Sequence, residues 1–504
     1  MQKHIWFAGR FSPIRIRSTT RRTVDIRGLV FSTLFLSASC IAQPGNVAAM
    51  AQSPDDNADA ILRRAMADRG IPGMQAAVVK DGKVVFLRSY GEANLQTPVP
   101  VSNATVFSIN SITKAFTGVA IMQEVEKGKL DLSAPISTYL PNIPPSWGAV
   151  TVRQLAGQIS GLPDIFSYGG DDTDKMGLIH EDKAWQWALA QPPSPRGEKE
   201  YYNQTNLALA QRIVDRLEGL PPDTPIIGNE LSIAGMTATS FGASPEVTKN
   251  KSGEYVYEYD GLAHDGVLHN EVFFFGPMMR ASSGLNSSVG DMTRWMLSIL
   301  NGKQLSKASL RTLWTPALLN NGTPSSFAVG WGVDKKDGYF KVGMIGGERA
   351  AVYLYPELNA GVVILTNLRG ANPEEFADEI AALFVPGIKL SAVQELRAEA
   401  ERSNFVDLEA VFARIKAEHN RPNYDEQELR RWAQSLQWSG GHSARAVVVS
   451  QFLVALFPES KDALAVLARA YTANAQPEEA NRTYRLLLIK DPGNQEARAY
   501  LKLP

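Results

Sequence analysis

The chain's pattern predicts an α+β fold: an antiparallel sheet assembled from both ends of one domain, a helical lobe inserted between them, and an all-α region behind. Three observations predict it. Apolar runs of strand character stand near residues 74–89 and return at 328–366. The stretch between them carries mostly helical periodicity. From about residue 390 the composition turns helical and charge-rich, with a 34-residue period.

In chain order, residues 1–51 read as an export segment. Lys3, Arg10, Arg15, Arg17, Arg21, Arg22 and Arg27 form a basic n-region. Leu29 to Ala38 is apolar but too short to span a bilayer. A small-residue cleavage site follows Ala42 or Ala51. Thr20 to Val24 faintly resembles a twin-arginine signal, and Leu36 to Cys40 a lipobox with Ser37 out of pattern. The expectation is an exported protein, periplasmic or extracellular, with membrane association only if Cys40 is lipidated. The alternative is a disordered basic tail on a cytoplasmic protein.

Asn57 to Arg69 has a helical pattern. Met74 to Val79 and Val84 to Ser89 are strand candidates joined through Asp81-Gly82, a hairpin signal. A helix follows, with Ile112, Phe116, Val119, Ala120 and Met122 at helical spacing. Near the other end come strands at Ala328 to Val333, Tyr339 to Ile345, Ala350 to Tyr355 and Gly361 to Thr366. The helix Pro373 to Leu383 closes the unit. The expected domains are therefore 55–387 and a helical 390–504. In the latter, Pro458 and Pro492 stand 34 residues apart, as do Ala446 and Ala480. Leu464, Leu467, Ala468, Tyr471, Tyr484 and Leu487 fit a tetratricopeptide-like template. Phe405 to Ala417 and Tyr424 to Trp438 look like helices leading in.

Composition excludes several function classes. The 504 residues have a formal net charge of −1, which gives no electrostatic case for nucleic acid. The single cysteine, Cys40, excludes a disulfide framework and a cysteine–zinc site. His264 and His269 are the nearest informative histidine pair, and their spacing fits no metal motif. No phosphate-binding Gly-rich loop occurs, and no Gly-x-Ser-x-Gly elbow that would mark an α/β-hydrolase. No metal or cofactor is expected.

The chemistry is concentrated at Ser111-Ile112-Thr113-Lys114. Residues three apart share a helix face, so Ser111 and Lys114 point the same way at a helix N-terminus, where negative charge is favoured. A serine hydroxyl is a weak nucleophile and needs an adjacent base. A lysine one turn on, among apolar neighbours, can supply it.

The run FSINSITKAFTGVAIMQEVEKGKLDL, residues 107–132, resembles the serine β-lactamase and penicillin-binding-protein superfamily, in its class C, esterase and D-aminopeptidase-like branch. Phe107, Ser111, Lys114 and Gly128 to Leu132 carry the likeness. Ser160-Gly161-Leu162-Pro163-Asp164 is similar to the family's Ser-Gly-Leu-Pro segment, with Gly157 in place of its histidine. Ser282 to Leu285 with Asp291 to Trp295, Gly330-Trp331-Gly332 and Pro356-Glu357 also match. The resemblance covers roughly residues 55–387 and implies the same α+β architecture.

The resemblance further implies a catalytic tyrosine and an amide on one loop. In Tyr201-Tyr202-Asn203-Gln204, Tyr202 aligns with the tyrosine and Gln204 with the amide, and Tyr201 is the rival. Either Lys114 or Tyr202 could be the base. Gly346 and Gly347 match the double glycine of the third motif, so the N–H of Ser111 and the one near Gly347 are oxyanion-hole candidates. Met344 stands where the family carries Lys or His, and a thioether cannot pair with a carboxylate. Arg349 and Lys341 are the nearby cations that could bring charge instead. The function expected is an acyl-enzyme hydrolase of esters, amides or peptides; the alternative is a degenerate binding protein whose helical tail recruits a protein partner.

Overall fold

The computed structural model describes residues 53–168, 181–221, 227–259, 264–274, 276–336, 338–406, 408, 410–411, 413–414, 424–438 and 442–503. The proposed export segment and Cys40 lie outside these residues, as does part of the expected helix Phe405 to Ala417.

Among the described residues there are twelve strands: β1 Gly73–Lys80, β2 Lys83–Asn94, β3 Val99–Pro100, β4 Phe107–Ser108, β5 Ser240–Phe241, β6 Tyr255–Tyr259, β7 His264–Asn270, β8 Leu285–Ser287, β9 Gly332–Lys336, β10 Tyr339–Gly346, β11 Ala350–Tyr355 and β12 Ala360–Thr366. The main sheet runs β3-β2-β1-β12-β11-β10-β9. Its centre joins the two ends of the domain, β1 antiparallel to β12 from Met74↔Thr366 to Lys80↔Ala360. The α+β architecture read from the sequence is therefore present.

Both faces of the sheet are covered, so the central strands are apolar on both sides. In β1, Met74, Ala76 and Val78 face the helices Pro54–Arg69 and Glu374–Phe384. Ala77 and Val79 face the helical lobe. The spine of that lobe is the helix Thr113–Glu126, buried almost throughout. Phe116 stacks on Trp295 with ring centroids 3.9 Å apart, and Trp295 stacks on Trp331 at 5.5 Å. A small sheet, β4-β8-β5, lies at the start of the helix.

Two local expectations differ from the structure. Ala328 to Gly330 is a turn rather than a strand, because Gly330 takes φ +75° and Ala328 N–H bonds Trp331 O; the strand begins at Gly332. The lobe also holds the β6–β7 hairpin in a stretch read as helical. Its Tyr-Val-Tyr-Glu-Tyr alternation was a period-2 signal.

The C-terminal region is all helical over its described residues, with Ala392–Arg402, Glu426–Trp438, Ser443–Leu456, Lys461–Ala473, Pro477–Lys490 and Gln495–Tyr500. The 34-residue period is visible in it. Leu429, Ala463 and Ala497 are each wholly buried, and each follows the last by 34 residues. Ser460 and Asn494, 34 apart, both cap helices. This tail belongs to one compact unit with the domain before it, residues 52–504. Arg397 Nη1 lies 3.7 Å from Glu375, Gln394 Nε2 donates to Asp378 at 2.8 Å, and Arg445 pairs with Asp68 at 3.3 Å. No helix among the described residues is long and apolar enough to cross a membrane.

Candidate active site

Ser111 sits in a 3-10 turn, Asn110–Ile112, that leads into the helix Thr113–Glu126. Two hydrogen bonds fix the turn. Ile109 N–H bonds Leu285 O at 2.9 Å on β8. Thr113 Oγ1 donates to Asn110 O at 2.6 Å. Asn110 takes φ +42°, an uncommon conformation for a residue with a Cβ.

Lys114 lies one turn on and is completely buried. Its Nζ donates to Ser111 Oγ at 3.2 Å and to Ser282 O at 2.9 Å. Tyr202 OH donates to the same Ser111 Oγ at 2.9 Å. The Lys114 Nζ lies 4.7 Å from the centre of the Tyr202 ring, a cation–π distance. One hydroxyl oxygen is therefore held by two groups able to move its proton. Tyr201 makes no hydrogen bond to Ser111; its backbone N–H bonds Gln158 O at 2.8 Å.

The Ser-Gly-Leu-Pro-Asp segment positions Tyr202. Gln158 Oε1 accepts from Asn203 N at 2.9 Å and from Asn206 Nδ2 at 2.8 Å. Asn203 Nδ2 donates to Leu162 O at 2.5 Å. Asp164 Oδ1 accepts from the N–H groups of Gln204 and Phe166 at 3.0 and 3.2 Å. Burial pushes the Asp164 carboxyl above its usual range, against these donors and the nearby Lys114 charge. The side-chain oxygen of Gln204 is buried without a hydrogen-bond partner. An amide there can offer a donor or an acceptor to a bound molecule.

Gly346 and Gly347 pack against the approach to the nucleophile. A Cβ on Gly346 would collide with Ile109 O, and one on Gly347 would come 2.6 Å from Asn110 Nδ2. Gly347 also takes φ +56°. Only glycines let β10 come this close.

Met344 is buried on the same face of β10 as Gly346, two residues away. Neither neighbouring cation replaces the missing charge. Lys341 lies on the opposite face, where Nζ bonds Asp378 at 2.8 Å, and the surrounding carboxylates outweigh burial and hold its pKa up. Arg349 is buried against Glu271 and Glu254, and burial brings its pKa down to about 10.

Sequence reasoning left three contributors without a role. Ser282 acts through its main-chain carbonyl, which a residue of any type would provide. Asn203 was passed over between two aligned residues. The tail was not expected at the site, yet a cavity of about 560 Å³ runs from Tyr202 and Met344 to Arg397 and Trp432 in it.

Comparison with known proteins agrees with this geometry. Residues 58–385 match the Beta-lactamase family. Protein flp of Staphylococcus aureus (strain N315) is 25% identical over 345 residues, 67% of this chain and 68% of that protein. The octameric penicillin-binding protein homologue from Pyrococcus abyssi is 26% identical with a TM-score of 0.54, over 68% of this chain and 81% of that one. A penicillin-binding protein from Bacillus halodurans is 25% identical with a TM-score of 0.55, over 64% of this chain and all of that one. The matched segment contains every residue gathered around Ser111 and extends over well more than half of the sequence: the chain belongs to the beta-lactamase family.

Proposed function

We propose that the protein is a serine hydrolase that works through an acyl-enzyme at Ser111 on an ester, amide or peptide. The observation that carries this is the pair of hydrogen bonds that Ser111 Oγ receives from Lys114 and Tyr202. In the reaction, Ser111 Oγ bonds the substrate's carbonyl carbon as its proton passes to the Lys114–Tyr202 pair. The N–H groups of Ser111 and Gly347 are assigned to the developing oxyanion, and one such donor is typically worth about 10²–10³ in turnover. The tetrahedral adduct expels its alcohol or amine, which takes that proton, and leaves the acyl group on Ser111. Water then attacks the ester, giving a proton to the same pair, and Ser111 regains its hydrogen. Tyr202 is exposed towards solvent, which suits it to reach the leaving group. The basic and apolar residues 1–51 support export to the periplasm or the exterior.

A second reading has one observation behind it. Met344 offers no cation, as expected of a degenerate site that only binds while the helical tail recruits a protein partner. Intact-mass spectrometry after exposure to a fluorophosphonate, a penicillin and an activated ester separates the two. A hydrolase gains an adduct that maps to Ser111 and disappears in Ser111→Ala. Lys114→Ala and Tyr202→Phe each slow acylation by about 10²-fold or more, without adding to the loss in Ser111→Ala, because such residues act as a unit. No adduct on Ser111 with any of the three would overturn the hydrolase.

A further inference from the structure

The sheet edge beside the nucleophile is only partly covered. β9 pairs with β10 as far as Gly332↔Gly343 and stops. Among the described residues, Met344, Ile345 and Gly346 have a strand neighbour on the β11 side alone. The cavity of about 560 Å³ follows this edge from Tyr202, around Ile345, and ends against Arg397, Arg431 and Trp432 of the tail.

The polar groups at that far end are unevenly satisfied. Arg397 is 4% exposed, and its Nη2 has no hydrogen-bond partner. Its Nη1 has a long 3.7 Å contact with Glu375, and the buried carboxyls of Glu379 and Glu401 also feel its charge. Trp432 is 1% exposed, and its Nε1 is also unpartnered. Arg431 is exposed in the wall and makes no ion pair among the described residues. The carboxylates in the wall are mostly engaged: Glu375 by Arg69 at 2.9 Å, Glu428 by Ser391 at 2.7 Å, Asp334 by Lys336 at 2.8 Å. Burial, with Glu375 beside it, pushes Glu374 up to about 7, so it is only partly ionised at neutral pH. Lys341 is occupied by Asp378. Three buried atoms of the wall lack partners among the described residues, Arg397 Nη2, Trp432 Nε1 and Glu374 Oε2; two of them are N–H donors, and buried donors without partners are rare and costly.

We propose that the tail completes the substrate groove, and that the far end of this cavity binds the carboxylate of a substrate whose chain extends along β10 from Ser111, with Arg431 and Arg397 as its cations. The inference rests on the hydrolase reading for its location. It reconciles Met344 with a family cleft: the charge is not lost but moved outward onto the helical tail, which selects chains long enough to reach it. An extended chain can also hydrogen-bond the open backbone of Met344 to Gly346, as a strand added to a sheet edge does.

The test uses the full chain. Its substrates are p-nitrophenyl monoesters of unbranched dicarboxylic acids of graded length, each compared with the same compound carrying a methyl ester at the far end. At one chain length kcat/KM should favour the free carboxylate by about tenfold. Arg431→Ala should abolish that preference through KM and leave p-nitrophenyl acetate within about twofold, while Arg431→Lys retains part of it. Arg397→Lys, which keeps the buried charge, should weaken the preference without loss of folding. Calorimetry with Ser111→Ala and the matching long-chain monoanilides reads the same preference as affinity, without any acylation. If no chain length favours the carboxylate in either assay, or if Arg431→Ala slows acetate and carboxylate esters alike, the subsite is refuted. A fluorophosphonate that fails to label Ser111 while calorimetry shows the preference would refute the hydrolase and leave the subsite standing.

Discussion

At Met344 the cleft presents a thioether where a cation would grip a carboxylate close to the scissile bond. The buried arginine and lysine nearby are committed to Glu271 and Asp378. Met344→Lys should therefore raise kcat/KM for substrates with a carboxylate next to the reacting carbonyl, relative to neutral esters. A gain of ~1.4 kcal/mol reads as about tenfold; kinetics on matched acid and ester pairs check it, and efficient penicillin hydrolysis by the unmodified protein would contradict the premise. The residue scale is also where the sequence was most legible. Ser111, Lys114 and Tyr202 could be named because the proposed chemistry requires those side chains, and the structure brings the three together. Ser282 could not, because a main-chain carbonyl leaves no trace in residue identity. The displacement of Lys341 and Arg349 from the cleft follows from strand alternation and from burial in long-range ion pairs, and the partners of those pairs lie 37 and 78 residues away.

The helix Thr113–Glu126 shows how an element holds chemistry in place. Gly118 lies at its centre, and a Cβ there would run into the backbone oxygen of Val329. Gly330, the next residue of that loop, packs on the same side of the helix, where a Cβ would meet Lys114 O and the backbone of Gly118. In an isolated helix, glycine to alanine gains about 1 kcal/mol. Here the obstacle is backbone and cannot swing aside, so overpacking, typically about 1–3 kcal/mol, decides the sign. Gly118→Ala should lower Tm and slow fluorophosphonate labelling of Ser111 together, because the helix can relieve the clash only by moving Lys114. A rise in Tm with unchanged labelling would show that the loop yields. Element types were mostly readable from periodicity. The failures were at Gly330, where a left-handed turn interrupts an apolar run, and at β6–β7, where a short hairpin sits inside a helical lobe.

For the whole molecule, the sequence divides the chain near residue 388, and the structure docks the two parts together. Tyr339 OH accepts from Lys389 N–H at 3.1 Å just past the division, and Arg397, Gln394 and Arg445 reach back across it. A chain ending after Ile388 should fold and still acylate Ser111 with a fluorophosphonate, since every residue around the nucleophile lies before residue 350. It should unfold at a lower temperature than the full chain, because Glu375 and Asp378 lose partners, and it should not discriminate carboxylate-ended chains. Thermal melts and the ester series measure all three. A folded truncation unable to acylate would show that the tail builds the centre itself. The 34-residue period was visible because repeats write their spacing into the sequence; the docking was not, because it depends on individual polar contacts, from Gln394–Asp378, 16 residues apart, to Arg445–Asp68, 377 apart, that leave no periodic trace.

The complete burial of Lys114 beneath Ser111 and the Tyr202 ring has a practical side. Reagents that modify amines from solution, such as acetic anhydride or glutaraldehyde, reach lysines in proportion to their exposure. The reactive lysines are those on the outer surface, Lys83 and Lys502 among them, while the ammonium group at the centre is shielded by its own hydroxyl partners. The protein can thus be fixed to a support through its amines with Lys114 chemically untouched.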